Sequence, residues 1–466
     1  MRLALILCAC FASTAAAVEW PNIVLMLADD QGWSGTSVAM HPDIAGSKGD
    51  VFHTPNLDRL AAQGMRFSAA YAPAPVCSPT RISIQTGKSP AQLHWTKAAP
   101  PEEGRMLTEP RLVKSISSDE ITIGELLRSA GYATAHYGKW HIAGGGPESH
   151  GYDESDGDTG NEQAFKFTDP NPVDIFGMAE RAENFMAKNK QAKKPFYIQL
   201  SWNALHAYGN AMKATKAKYE HLKGGDSKQY EVAPITEDLD TGVGCLLESI
   251  DRLGLADSTF VIYTSDNGSG GGKRNGGLSG GKGGVWEGGV RVPFIIRGPE
   301  VKPNSWCHTP IVGYDFLPTF CEWAGVPRQN LPRGVEGGSF ARLVVDEGRG
   351  VVHRPRDEII FHFPHYQSED GPQSAIRVGD LKLMHFYEDG RDALFDLSND
   401  LGERRDLARQ MPAETARLRK RLDAYLTAID AQFATPNPNY DPSKPPPPVK
   451  KGGPQGNKKK PGKSKA

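Results

Sequence analysis

Five places in this 466-residue chain carry side chains whose types and spacing suit chemistry. Asp29-Asp30 sets two adjacent carboxylates, which repel each other unless a cation lies between them. Lys139 and His141 stand two residues apart, and so do Asp266 and Gly268 around Asn267. Asn203 precedes His206 by three positions. Cys77-Ser78-Pro79-Thr80-Arg81 puts a soft nucleophile beside a fixed turn and a permanent cation. Pro79 suits the first turn of a helix, so Cys77 falls at a helix N-terminus, where free N–H groups and the dipole favour negative charge. Arg81, about one turn on, faces the same way. Taken singly, each group has a plainer reading: a solvated turn, a surface lysine, a structural histidine, a buried cysteine.

The elements around these groups make the plainer readings lose. Asn22 to Ala28 is a continuous apolar run that reads as a strand buried on both faces, and it ends at Asp29. Short strands at Tyr132–Tyr137, Pro195–Leu200 and Phe260–Tyr263 lead into Lys139 and His141, Asn203 and His206, and Asp266 and Asn267 respectively. Between them stand helical patterns: Thr54 as cap with Pro55 at the first position and Gly64 as stop, Ile121 to Gly131, and Glu237 to Leu253 with an apolar stripe. Alternating strands and helices imply a mostly parallel sheet covered on both faces. Ligands of such sheets bind beyond the carboxyl ends of the strands, and all these polar clusters fall there.

Sorted by chemistry, Asp29, Asp30, Asp266 and Asn267 are hard oxygen donors that suit Ca²⁺ or Mg²⁺ rather than zinc. Arg81, Lys139 and Lys282 are cations for a tetrahedral oxyanion. His141 and His206 move protons near neutral pH. Lys282 lies in a glycine-dense stretch from Gly270 to Gly289 that also holds Trp286 and Glu287 and runs into an apolar strand, Val290 to Ile296. Such glycines let backbone approach a small polar ligand. Metal donors, a nucleophile, an anion clamp and two histidines together describe hydrolysis of a sulfate or phosphate ester.

The motifs that carry this set resemble the type I, formylglycine-dependent sulfatases of the alkaline phosphatase superfamily. They are Cys77-Ser78-Pro79-Thr80-Arg81 with Thr86-Gly87, Gly138-Lys139-Trp140-His141, Asp29-Asp30-x-Gly32, Asp266-Asn267-Gly268, Gly281-Lys282 followed by Glu287-Gly288-Gly289-x-Arg291-Val292-Pro293, and Leu394-Phe395-Asp396-Leu397 with Glu403 and Asp406-Leu407. They stand in the family's order over most of the chain. The resemblance implies an alkaline-phosphatase-like α/β/α sandwich with a large mostly parallel mixed sheet, and a smaller C-terminal α+β subdomain with an antiparallel sheet. It implies that Cys77 is oxidised to Cα-formylglycine by a dedicated maturing enzyme, and that the hydrated aldehyde is the nucleophile. Ca²⁺, with Mg²⁺ as second choice, would be held by Asp29, Asp30, Asp266, Asn267 and residue 77. Arg81 and Lys139 would stabilise the ionised diol and His141 would take its proton. Lys282 and His206 would hold sulfate and assist the leaving oxygen. In place of the proline found two residues after this histidine in many relatives, the chain has Tyr208.

A phosphatase or phosphonate monoester hydrolase of the same superfamily is the alternative, and a non-catalytic binder of sulfated polymer a third. Specificity would lie in loops at the mouth, where His94, Glu154, Asp158, Asn203, Arg274, Asn275, His362 and His365 have side chains that suit sugar hydroxyls. Asn203 and Asn275 are the foremost substrate contacts. A sulfated carbohydrate is the expected substrate.

Composition is that of a globular protein, 38% hydrophobic and 23% charged, and a net charge of −1 argues against a nucleic-acid partner. Residues 1–17 read as an export signal: Arg2, an apolar core from Leu3 to Phe11, and Ala15-Ala16-Ala17 for cleavage, too short to span a bilayer. The less favoured alternative is a lipoprotein signal acylated at Cys10. Either implies a secreted or periplasmic protein. Residues 18–348 form the expected catalytic domain, 349–435 a C-terminal subdomain, and 436–466 a basic Pro-, Gly- and Lys-rich tail expected to be disordered. The four remaining cysteines, Cys77, Cys245, Cys307 and Cys321, are too few for a disulfide framework. Pairing of Cys307 with Cys321 is left open.

Overall fold

The computed structural model describes residues 20–225, 227–270, 275–368 and 370–444. The stretch expected to be an export signal, most of the basic tail and Arg274 lie outside the described residues.

An eight-stranded sheet organises the larger part of the chain. Its strands are β1 (Asn22–Ala28), β2 (Met65–Phe67), β3 (Ala133–Gly138), β4 (Glu154–Ser155), β5 (Phe196–Ser201), β6 (Thr259–Ser265), β7 (Phe294–Arg297) and β8 (Ser305–Cys307), in the spatial order β8-β2-β7-β6-β1-β5-β3-β4. All neighbours are parallel except β7, which is antiparallel to both β2 and β6. Every residue of β1 is buried, as its unbroken apolar run predicts. Its alternate side chains feed two cores, Val24, Met26 and Ala28 on one face and Ile23, Leu25 and Leu27 on the other.

The first face packs α1 (Pro55–Gln63), α4 (Ile175–Gln191) and α5 (Ser227–Arg252); the second packs α2 (Cys77–Thr86), α3 (Ile123–Ser129) and α6 (Phe316–Trp323). The α/β/α architecture is therefore as the sequence predicts. Two local expectations change. Thr54 makes no side-chain cap to α1; the Asp240 carboxylate of α5 accepts from the backbone N–H of Asn56 and Leu57 instead, at 3.0 and 2.8 Å. The helix expected from Glu237 begins ten residues earlier and runs through Pro234.

Register places the polar clusters together. Ala28 at the end of β1 pairs with Ser265 at the end of β6, and Gly138 at the end of β3 pairs with Ser201 at the end of β5. The four strand ends thus open on one edge.

The C-terminal part has its own antiparallel sheet, β9 (Ile359–Phe363), β10 (Gln373–Val378), β11 (Leu381–Phe386) and β12 (Asp392–Asp396). One face packs on α7 (Pro412–Ala428) through Leu418, Leu422 and Leu426. The other carries Phe361, Phe363, Met384 and Phe395 against Val285 and Val290 of the glycine-rich stretch. The described chain beyond it still holds to the body: Thr435–Pro436 pair with Leu107–Thr108, and the Asn437 amide donates to the Arg105 carbonyl. Cys307 and Cys321 are both buried and unpaired. No helix among the described residues is long and apolar enough to cross a membrane.

Candidate active site

Cys77 opens α2 at the edge where the strands end, as its place before Pro79 predicts. Its sulfur lies 3.4 Å from Asp29 Oδ1 and 3.9 Å from Asp30 Oδ1, with Lys282 Nζ at 3.6 Å. Lys139 Nζ sits 2.6 Å from Asp29 Oδ2, both side chains fully buried. Lys282 Nζ is 2.6 Å from each Asp30 oxygen. His206 Nδ1 completes the ring, 3.5 Å from Asp29 and 3.3 Å from Asp30. Two carboxylates, the Lys282 ammonium and an imidazole therefore gather around one sulfur, with Lys139 held behind Asp29 through its far oxygen.

The glycine-rich stretch is no linker. Lys282 N donates to Ser269 O and Gly283 N to Pro75 O, each at 2.9 Å, which fixes Lys282 against the segment leading into Cys77. A Cβ on Gly268 would meet Gly288 O at 1.9 Å, so close backbone approach is what the glycine allows there.

Arg81 differs in detail from the expectation. Its Nε and Nη2 bind Asp266 Oδ2 at 3.1 and 2.7 Å, and Nη1 donates to the Lys139 carbonyl at 2.6 Å. The fork is thus committed to holding a carboxylate and the turn that carries Lys139. His141 Nδ1 lies 3.1 Å from Ser78 Oγ, a contact the sequence did not reveal.

The charges shape one another. Burial opposes ionisation of Asp29 and Asp30, yet Lys139 beside Asp29 and Lys282 beside Asp30 hold both below the usual carboxylate range. Burial, reinforced by the Lys139 charge, pushes His141 well below the usual imidazole range and keeps it neutral. His206 goes the other way: burial works against its charge, but Asp29 lifts it to about 11.

The donor set fits a hard divalent cation. Ligand atoms of Asp29, Asp30, Cys77 and His206 lie within 4.8 Å of one another, and the hard donors among them are the two carboxylates. Asn267 donates its amide N–H to Asp30 Oδ1 at 2.8 Å, while its Oδ1 is buried and has no hydrogen-bond partner among the described residues. A buried acceptor without a donor at the rim of paired carboxylates is what an oxygen-coordinated ion would satisfy. Asp266 stands beside the same group, its Oδ1 accepting from Asp30 N at 3.1 Å.

The loop candidates divide. Asn203 is buried and donates to Gly160 O at 3.0 Å, holding the wall of the site. Asn275 is fully buried, its amide bonded to Ser269 Oγ and Gly280 O, so no free amide remains for the expected substrate contact. His362 is bound between Ser374 and Gln432, and His365 between Glu109 and Thr96, which makes both structural. His94 reaches the Asp430 carbonyl, and Glu154 pairs with Lys188. Asp158 is exposed and lines a cleft of about 340 Å³ together with Ser78 and His141.

With this geometry the comparisons agree. A family model described as Sulfatase matches residues 21–326, and one described as N-sulphoglucosamine sulphohydrolase, C-terminal, matches residues 281–432. The chain belongs to the sulfatase family and is a sulfuric ester hydrolase. It is 27% identical to human arylsulfatase A over 91% of this chain and 92% of that one. It is 29% identical to a sulfatase of Formosa agariphila over 84% of this chain and 85% of the other. The solved structure of Ps i-CgsB superimposes with a TM-score of 0.72 at 25% identity, covering 89% of this chain and 94% of that chain; it has also been solved with a neocarrahexaose.

Proposed function

We propose that the protein is an exported sulfatase that removes sulfate from a carbohydrate, with residue 77 matured from cysteine to Cα-formylglycine and Ca²⁺ held by Asp29, Asp30, Asp266 and Asn267. The observation that carries this reading is the position of Cys77 Sγ among Asp29, Asp30 and Lys282. A plain thiol there, once sulfated, would have no second hydroxyl with which to release the sulfate. Formylglycine would supply a hydrated aldehyde as nucleophile, and Ca²⁺ held by these residues would supply a Lewis acid.

The chain's own residues do the rest. Lys139 and Lys282, each 2.6 Å from a carboxylate of the Asp29–Asp30 pair, would neutralise charge on the ester oxygens of a bound sulfate. Arg81 acts as a positioning residue, tying Asp266 to the turn that bears Lys139. His141, kept neutral, accepts a proton through an imidazole nitrogen. His206, charged and beside Asp29 and Asp30, would give a proton to the departing alcohol oxygen. The carbohydrate assignment draws on relatives named as N-acetylgalactosamine-6-sulfatase and on the neocarrahexaose complex of Ps i-CgsB.

Parallel assays on an aryl sulfate and the matching aryl phosphate test the reaction class. Sulfate hydrolysis should dominate and should vanish in Cys77→Ala. Faster phosphate hydrolysis would move the protein to the phosphatase reading.

A further inference from the structure

The cleft of about 340 Å³ beside Ser78 and His141 is at the small end of ligand sites, which run to about 300–1000 Å³. One wall carries the half-buried Leu112 and the edge of the largely buried Trp95. Its charged groups differ from those around residue 77. Lys97 is buried and neutralised, its Nζ 3.0 Å from both oxygens of Glu109. That leaves one exposed cation, Lys114, against two exposed carboxylates, Asp158 and Glu162.

The acidic segment is fixed, not draped over the site. Thr159 O accepts from His141 N at 2.7 Å, and Thr159 Oγ1 accepts from Trp140 N at 3.1 Å. Glu162 Oε1 accepts from Gly160 N at 2.8 Å. Asp158 and Glu162 are therefore carried by a segment bonded to the turn of His141, and they line the same cleft as Ser78 and His141. By contrast, the neighbouring cleft around Asp156 and Asp174 has its carboxylates paired with Arg181.

Resting on the sulfatase reading, we infer that this cleft selects a substrate in which the ring next to the sulfated position is uncharged, and that Asp158 and Glu162 reject a neighbouring carboxylate or second sulfate. Like charges facing each other across a partly desolvated cleft disfavour binding, and this is discrimination by repulsion rather than by added contacts.

The test uses the full chain with residue 77 converted, and two sets of monosulfated disaccharides matched in sulfate position. In one the partner ring is a neutral hexose, in the other a uronic acid. Wild type should favour the neutral set in kcat/KM by about tenfold or more, less so at high salt. Asp158→Asn and Glu162→Gln should each raise the relative kcat/KM of the uronic acid set severalfold, and Lys114→Gln should lower it. Preference of wild type for the uronic acid set, or ratios unmoved by all three substitutions, overturns the inference. Turnover of an aryl sulfate without either sugar set overturns it while sparing the hydrolase reading; loss of aryl sulfate turnover as well takes down both.

Discussion

Lys382 of the C-terminal sheet places its ammonium 2.9 Å from the Glu287 carboxylate, and neither side chain reaches solvent. Glu403 closes the group, 2.7 Å from the same ammonium, and accepts from Glu287 N at 2.7 Å. Burial, with Lys382 opposing it and Glu287 adding to it, pushes Glu403 up to about 7. Glu287 also binds Arg291 and Tyr71. The cluster joins the small sheet to the segment that ends the glycine-rich stretch of Lys282.

Removing one partner of such a group strands a buried charge. Lys382→Met should cost about 3–5 kcal/mol in urea unfolding, and adding Glu287→Gln should recover part of it. A single-variant loss below about 1 kcal/mol would show that the cluster does not couple the two sheets.

Acid should unfold the protein through histidines kept neutral. Burial lowers His362 to about 4 and His136 to about 3. The unfolded chain takes up these protons near 6.5, well before the folded one does, so stability is full above that pH. It is lost as pH falls from about 6.5 toward 4, by about 3 kcal/mol for His362 alone. His362→Gln should flatten that limb in unfolding midpoints measured between pH 7 and 4.5. A limb of unchanged slope would remove His362 from the account.

Gly138 has φ +87°, and a Cβ there would lie 2.2 Å from Ser201 O. Gly138→Ala must shift the turn that carries Lys139 and His141. Its kcat should fall by about 100-fold or more, because small misplacements of catalytic groups cost that much. Near-normal kcat in a folded variant would mean the turn adapts.

Chelation should lower both activity and Tm, and added Ca²⁺ should restore them, since an ion that binds only the folded state stabilises it by mass action. Asn267→Ala should raise the Ca²⁺ concentration needed for half-restoration. An unchanged Tm across the titration would exclude Asn267 and its neighbours as the ion's seat.

The site was legible where chain order mirrors space. A buried strand followed at once by Asp29-Asp30 must deliver them to the sheet edge, and the same holds for Lys139, His206 and Asp266. What failed to show was anything set by partners distant in sequence. Asp240, 184 residues from Asn56, caps α1 in place of the adjacent Thr54. Glu109 captures His365, and Gln432 captures His362, so two histidines at candidate loops serve packing. Asn275 reads as an exposed loop amide because its neighbours are glycines, but those glycines fold the loop onto it. Pro234 hid the true start of α5, since a proline ordinarily ends a helical pattern rather than sitting within one.

In the proposed reaction Cys77 is a precursor rather than a nucleophilic thiol. Mass analysis of the peptide containing residue 77, on protein whose sulfate release is measured in parallel, tests it most directly. Residue 77 should have lost sulfur and gained an aldehyde oxygen, with sulfate release proportional to the converted fraction. Full activity from protein in which residue 77 is entirely cysteine would contradict it.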